Sequence, residues 1–529
     1  MEFTSFVYII FLLIGMLFYY ALPKKCQWAV LLALSLAYYV IFSGALIAFM
    51  LACTLAVYLG ARRLEGIDAR VKAAKGSLEK AEFKELKKKS KKSKRGVLTA
   101  VVVFTLAMLA VLKYCNLFGS IVNSVTALFG RGNVVPVFSL LLPLGISYYT
   151  LMSISYITDV YRGRYPAEKN FFMLLLFVCY FPHITEGPFD RYDALSAQFR
   201  QEHKFDYEQM KNGALLVMFG IAKKLVIADR AGVIASGIFE KSGSLGGTAI
   251  FLGMLIYTLQ LYADFSGCID IVSGSSELFG IKLAENFRQP FFSRSVNEFW
   301  RRWHITLGTF LKDYVFYSVA PSSGTKNITR FAKKHFKSDN LKRVLPAAYA
   351  LFFVWFCNGL WHGASGKYIA YGLYYYVIMM FGEFMAPVFN GFYKKTGLNR
   401  DGGLCKAFQL TRTFLLVNVG MLLFRSATLG EFASLLIKMF SSVSFSQLFN
   451  GSIGIEGISY KDYIVLAVGI AALLIIGLLK EKGVNVRESL DSKPLALRWV
   501  VYLLLIFSAI IFGIYGGNFE NAGMIYAEF

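Results

Sequence analysis

MEFTSFVYIIFLLIGMLFYYALPKK, residues 1–25, separates a membrane-embedded chain from a water-soluble one. From about residue 5 to residue 22 it carries no charge, and it closes on Lys24 and Lys25. At the rise of an α-helix such a run is long enough to cross most of a hydrocarbon core. It has no basic leader and no small-residue cleavage site, so it reads as a first membrane span rather than a signal peptide. Two further apolar runs follow, near 27–42 and 44–60. After them comes RRLEGIDARVKAAKGSLEKAEFKELKKKSKKSKRG, Arg62 to Gly96, helical in pattern and strongly basic. Basic residues collect in cytoplasmic loops, so this segment is placed inside, with contact to anionic lipid as an optional addition. Three spans then put Lys24 and Lys25 inside as well, and the N-terminus outside.

The rest of the chain agrees with a membrane-embedded, all-helical protein. Of 529 residues, 56% are hydrophobic and 16% aromatic, and the mean hydropathy is +0.52, more apolar surface than a water-soluble domain buries. Helices satisfy their own backbone groups in hydrocarbon, and no strong alternation suggests a barrel. Further runs lie near 98–114, 138–158, 170–186, 213–228, 247–271, 344–363, 367–388, 408–424, 463–479 and 496–516. Basic clusters at Lys333 to Arg343, Lys394 to Lys406 and Lys480 to Arg498 mark later cytoplasmic loops, which leaves Phe529 outside. The organisation expected is N-terminal membrane helices over 1–60, a basic cytoplasmic loop over 61–97, a catalytic core over 98–390 and C-terminal membrane helices over 391–529, all one membrane domain. The excess of 23 positive charges is spread between spans, which fits topology rather than nucleic-acid binding. The seven cysteines form no CxxC pair and read as reduced packing residues, although an acyl-carrying thiol at Cys268 or Cys357 remains an alternative.

The centre of the chain, roughly 140–370, departs from this pattern. Short runs there carry Lys223, Lys224, His183 and Glu186, as half-helices or re-entrant segments would. Four stretches hold candidate chemistry. NEFWRRWHITLGTFLKDY, 297–314, spaces Phe299, Trp303, Leu307, Phe310, Leu311 and Tyr314 as one amphipathic helix, with Arg301, Arg302, Lys312 and Asp313 on other faces. Such a helix lies in the interface, with Trp300 and Trp303 at headgroup level, or packs beneath the bundle, and His304 adds nothing to anchoring. LFFVWFCNGLWHGASGKYIAYGLYYY, 351–376, sets His362 after an apolar run among Gly359, Gly363 and Gly366. A polar group there faces either a hydrogen-bonding partner in the bundle or a cavity, and the glycines permit a broken helix and close approach. Counting outward from Arg343 places His362 in the outer half of the bilayer, while His304 faces the cytoplasm. YTLQLYADFSGCIDIVSGSSELFGIKLAENFRQPFFSRS, 257–295, puts Asp264 and Asp270 in or beside an apolar run, where pairing with Lys or Arg competes with catalysis. YFPHITEGPFDRYDAL, 180–195, breaks any helix with Pro182, Gly187 and Pro188, and His183 there is either a third site histidine or part of a capped turn.

In this order the four stretches resemble the membrane-bound O-acyltransferases, in particular the branch that contains the alginate O-acetyltransferase membrane subunit. The pieces that carry the resemblance are PLGISYYTLMSISYITDVYRG (143–163), EGPFDRY (186–192), DFSGCIDIVSG through AENF (264–287), EFWRRWHITLGTFLKDYVF (298–316), GLWHGASG (359–366) and the final MIYAEF (524–529). The resemblance implies a polytopic helical fold, with about 11–13 membrane helices including re-entrant segments around a central tunnel. It gives His362 the part of the family's essential histidine and His304 that of its companion. The chain departs from the alginate-type pattern at Cys268 and at YSVAPSSG (317–324), which leaves the acceptor polymer open.

The activity this implies is transfer of an acyl group, acetyl first, from a cytoplasmic thioester to an extracytoplasmic envelope polysaccharide. A histidine near neutral pKa suits removal of the hydroxyl proton, so His362 is the expected general base, with His304 orienting or protonating the leaving thiol. Arg301, Arg302, Arg294 and Lys312 are candidates to hold the phosphates of acetyl-CoA or an acyl-phosphopantetheine carrier. Asn358, Trp361, Trp303, Asp264 and Asp313 are candidate supports. No permanently bound cofactor and no metal is required, and His183, His203, His304, His335 and His362 show no ligand spacing. Expected partners are membrane lipid, an extracytoplasmic SGNH-type acyltransferase or the envelope polymer itself, and an acyl carrier protein, in the plasma or inner membrane. Two alternatives stand beside this: D-alanyl transfer to teichoic acid from a carrier-protein thioester, and a transporter without acyl chemistry, against which the lack of paired broken helices counts.

Overall fold

The computed structural model describes residues 3–132, 134–138 and 141–515. The final MIYAEF motif and the C-terminus lie outside the described residues. Among the described residues there is no strand, only an isolated antiparallel bridge between Phe287 and Trp303. The helices fall into two compact units, Met1–Gly213 with Ser275–Ala284, and Ala214–Gly274 with the chain from Glu285 onward.

The first unit opens with α1 (Phe6–Ala21), α2 (Gln27–Ser43) and α3 (Ile47–Ala73), on the three apolar runs. Ser5 caps α1 by accepting from the Tyr8 amide. The basic segment is helical, as its pattern suggests: α3 runs on to Ala73, and α4 (Lys80–Leu128) starts within it and carries the chain back. The helix α5 (Ile146–Arg162) begins only after Pro143 and a left-handed Gly145, whose added Cβ would sit 2.1 Å from the Ile184 carbonyl oxygen. The run at 170–186 yields only α6 (Phe171–Cys179), because Pro182, Gly187 and Pro188 force the turn that precedes α7 (Tyr192–Phe199). In that turn His183 is wholly buried, its Nε2 lies 3.2 Å from the Phe177 carbonyl oxygen and its Nδ1 3.8 Å from Asp190.

The helix α8 (Tyr207–Ala222) leads into the second unit, where it continues through a π-helical turn, Lys223–Ala228, into α9 (Asp229–Glu240). Then come α10 (Gly247–Glu277), α11 (Val296–Arg302), α12 (Ile305–Phe310), a second π turn (Leu311–Phe316), α13 (Tyr317–Val319) and α14 (Ser323–His335). The helices α15 (Asp339–His362) and α16 (Gly366–Thr396) form a close hairpin, followed by α17 (Gly403–Arg425), α18 (Leu429–Ser441), α19 (Tyr460–Glu481), α20 (Val486–Asp491) and α21 (Leu495–Phe512). The hairpin is tight for a definite reason. A Cβ on Gly359 would lie 2.4 Å from the Tyr368 carbonyl oxygen, and one on Gly372 would lie 2.2 Å from that of Trp355. Two backbones meet there without side chains between them.

Eight helical stretches among the described residues are long and apolar enough to cross a membrane, and the shorter α1 is also apolar. This is a multi-pass membrane protein. The long helix through Lys223, Lys224 and Arg230 is not among the eight, and its buried cations are paired. Lys223 bonds Asp270 at 2.5 Å, Lys224 lies between Asp264 at 2.8 Å and Asp229 at 2.9 Å, and Arg230 bonds Asp462 at 3.0 Å. Buried charges are held in this way or not at all.

Candidate active site

The site grows from a break in a helix. The apolar spacing of 297–314 predicts one continuous amphipathic helix, and the structure corrects this. The helix α11 ends at Arg302, Trp303 is extended at φ −109°, His304 adopts the left-handed conformation at φ +48°, and α12 starts at Ile305. A left-handed non-glycine residue costs of the order of 1–3 kcal/mol and persists only where its surroundings dictate it. Here they do. The segment around Asn286 runs antiparallel to Trp303, with the Arg288 amide donating to the Arg302 carbonyl and the Ile305 amide to the Asn286 carbonyl, at 2.9 and 3.0 Å. Trp303 is accordingly no interfacial anchor. It is 1% exposed, stacks on Phe299 at 5.5 Å and meets Phe287 edge-on at 5.1 Å.

The break turns the His304 ring inward, where it is 3% exposed. Phe265 meets it edge-on at 4.8 Å and the Trp361 indole lies at 5.5 Å. The same indole meets His362, whose ring centroid lies 4.9 Å from it and which is 2% exposed. The two imidazole centroids are thus separated by at most 5.5 Å plus 4.9 Å. Tyr371 and Phe424 close on His362 edge-first, at 5.4 and 5.2 Å. His362 is the last residue of α15, where the carbonyl end of the helix offsets positive charge developing on the ring. One turn earlier, on the same face, Asn358 is 5% exposed, and its amide oxygen has no donor among the described residues.

The other candidates divide. Asp264 is an ion-pair partner of Lys224, which is the structural alternative of its two readings. Arg301 and Arg302 line one groove of about 470 Å³ with Arg288, Gln289, Glu298, Lys480 and Glu481. Arg302 is already bridged to Glu298 and Glu481, both at 2.6 Å, whereas Arg301 is exposed. Arg294 pairs with Asp401 at 2.8 Å, and neither it nor the exposed Lys312 lines that groove. Asp313 is half-buried in the second π turn. The sequence reading missed Phe265, Tyr371 and Phe424 around the rings, and Asn286. Asn286 stands in the AENF motif, but its distance along the chain from His304 gives no spacing signal.

Burial pushes the His304 imidazole down, from 6.5 to about 3. The folded ring is therefore neutral where an unfolded one takes up a proton. Stability is complete above about pH 6.5 and declines as pH falls toward 3, by about 2 kcal/mol near pH 5. Melting of the detergent-solubilised protein should shift to lower temperature between about pH 7 and pH 5, and less so in His304→Asn. Parallel pH dependence in the two proteins would contradict this.

Residues 167–333 match the family model of MBOAT, the membrane-bound O-acyltransferase family. The chain is 30% identical over 301 residues to the teichoic acid D-alanyltransferase of Streptococcus thermophilus, covering 54% of this chain and 69% of that one. It belongs to the membrane-bound O-acyltransferase family. Among other members, the probable alginate O-acetylase AlgI of Pseudomonas syringae pv. tomato is 37% identical over 344 residues, 64% of this chain and 60% of that one. The peptidoglycan O-acetyltransferase of Helicobacter pylori is 32% identical over 260 residues, 44% and 46% of the two chains. The chain thus spans about three fifths of the length of the alginate relatives that it matches. His304 lies within the residues matched to the family model and His362 beyond them.

Proposed function

We propose that this protein is an O-acyltransferase that moves an acyl group, acetyl in the first instance, from a cytoplasmic thioester to a hydroxyl of an extracytoplasmic envelope polysaccharide. The observation that carries this reading is the buried pair of imidazoles that both contact the Trp361 indole. Two titratable groups of acid–base chemistry, shielded from bulk water, suit a thioester that must be attacked by an alcohol and not hydrolysed. The names of the relatives, which cover alginate and peptidoglycan O-acetylation and teichoic acid D-alanylation, support an envelope polymer as acceptor.

In this reading His362 takes the proton of the acceptor hydroxyl as its oxygen bonds to the acyl carbon. The carbon–sulfur bond then breaks, and the thiolate receives a proton from the imidazolium so formed. His304, neutral in its buried setting, orients the donor beside the acyl carbon rather than supplying the proton. Asn358, whose buried amide oxygen is an acceptor, is a candidate to hold a substrate hydroxyl or amide. Arg301 and Arg302, with Arg288 and Lys480 in the same groove, suit the phosphates of acetyl-CoA or of a phosphopantetheine carrier. The donor is a substrate and no permanently bound cofactor is invoked. The membrane is the plasma or inner membrane, with the basic Arg62 to Gly96 segment inside and both termini outside. The acceptor hydroxyl at His362 is that of the envelope polymer itself, or that of an SGNH-type partner outside the membrane which then hands the acyl group to the polymer.

The D-alanyl alternative is favoured by the match over 69% of a teichoic acid D-alanyltransferase. Mass spectrometry of the envelope polymers from cells with and without the gene separates the two. Ester-linked acetyl should vanish with the gene, whereas loss of ester-linked D-alanine would establish the alternative. Unchanged ester content of every polymer would overturn both.

A further inference from the structure

Asn286 makes a set of contacts that a packing residue has no need of. It is 1% exposed, and its side-chain oxygen receives three groups: the Thr306 backbone amide at 3.1 Å, the Thr306 hydroxyl at 2.9 Å and His304 Nδ1 at 3.2 Å. The first contact settles which end of the amide faces the histidine. A backbone N–H only donates, so the atom that meets it is the oxygen and not the nitrogen. An amide oxygen in turn only accepts. His304 Nδ1, facing the same oxygen, must therefore be the nitrogen that carries hydrogen. In a neutral imidazole this leaves the lone pair on Nε2. The main chain reinforces the arrangement, because the Asn286 carbonyl accepts from the Ile305 amide at 3.0 Å and the Arg288 amide donates to the Arg302 carbonyl at 2.9 Å, one bond after and one before the strained His304 backbone.

We infer that Asn286 is a positioning residue that holds His304 as the Nδ1–H tautomer, so that the Nε2 lone pair is the one presented to the reacting groups. The inference rests on the acyl-transfer reading for its purpose, but not for its geometry. The choice of amide over carboxylate has a physical reason. An aspartate in this place would also accept from Nδ1–H, but its charge would favour the imidazolium and remove the lone pair. The neutral amide orients the ring without charging it. The Asn286 Nδ2 group is buried with no acceptor among the described residues.

The test is nitrogen NMR of the full chain, labelled with 15N-histidine and held in lipid nanodiscs, with His304→Asn used to assign the His304 signals. The wild type should show a protonated Nδ1 and an unprotonated Nε2 at neutral pH. Asn286→Ala should give a mixture of tautomers or the Nε2–H form, with kcat for acyl transfer down roughly 10- to 100-fold and KM for the donor little changed. Asn286→Asp should restore the Nδ1 proton but add one at Nε2 near neutral pH, with a matching shift of the pH–rate profile. A wild-type signal with the proton on Nε2 overturns the inference, as does an Asn286→Ala protein whose tautomer is unchanged. Should Asn286→Ala not fold, the wild-type and Asn286→Asp spectra decide the matter alone. The tautomer is read without turnover, so a protein with the expected spectrum and no acyl transfer would overturn the functional reading and leave the positioning role intact.

Discussion

Replacement of His362 by alanine should lower acyl transfer roughly 100- to 10,000-fold, the usual yield of a positioned acid–base group, with the protein still present in the membrane at normal level. The reason lies in where the ring sits. His362 ends α15, flanked by Trp361, Tyr371 and Phe424, and is 2% exposed, so no solvent base has easy access to the hydroxyl it would deprotonate. His335→Ala is the matched control, since that ring is exposed on α14 and packs on Phe331. Ester content of the envelope polymers, read beside protein abundance in membranes, gives the answer. Full ester content in the His362→Ala strain would remove this residue from the chemistry and take the acyl-transfer assignment with it.

The second large effect is on stability. Lys224 extends from the first π turn to two carboxylates, Asp264 and Asp229, and the three side chains are 8%, 2% and 18% exposed. Lys224→Met keeps the stem and removes the charge, which leaves two acidic groups facing each other in a low-dielectric interior. Loss of one partner from a buried pair costs about 3–5 kcal/mol. A large drop in melting temperature, or failure to recover folded protein from membranes, is the expected result. Lys89→Met is the comparison, because the Lys89–Glu85 pair is 75% and 65% exposed and should be silent. Adding Asp264→Asn to Lys224→Met should recover part of the loss, since the second charge then goes as well. An unchanged melting temperature in Lys224→Met would show that the cluster is hydrated or not ionised.

This cluster bears on how the sequence should be read. Asp264 and Asp270 are legible as costly carboxylates in or beside an apolar run, and Lys223 and Lys224 as costly cations in another. Neither run says that they are one another's partners. Pairing is decided by how α8 and α9 cross α10, where Gly220 and Gly267 bring the backbones close enough that a Cβ on Gly220 would lie 2.4 Å from the Gly267 carbonyl oxygen. In the same way, the candidate phosphate-binding cations look alike in sequence. Folding puts Arg301 and Arg302 in one groove, and bonds Arg294 to Asp401 instead.

The membrane character, the approximate places of the long helices and the unusual settings of His304 and His362 are legible in the residues alone, because each is a local property. Long apolar runs favour lipid over water, and a histidine within a greasy segment stands out without reference to anything else. The break of the 297–314 helix at His304, the burial of Trp303 and the approach of Asn286 to the His304 ring come from packing between distant segments. The physical reason is that these outcomes depend on hydrogen bonds between segments distant along the chain. The apolar period of 297–314 fits an unbroken helix, and it is overridden only when the 286–288 backbone arrives to claim the amides and carbonyls that the helix would have used.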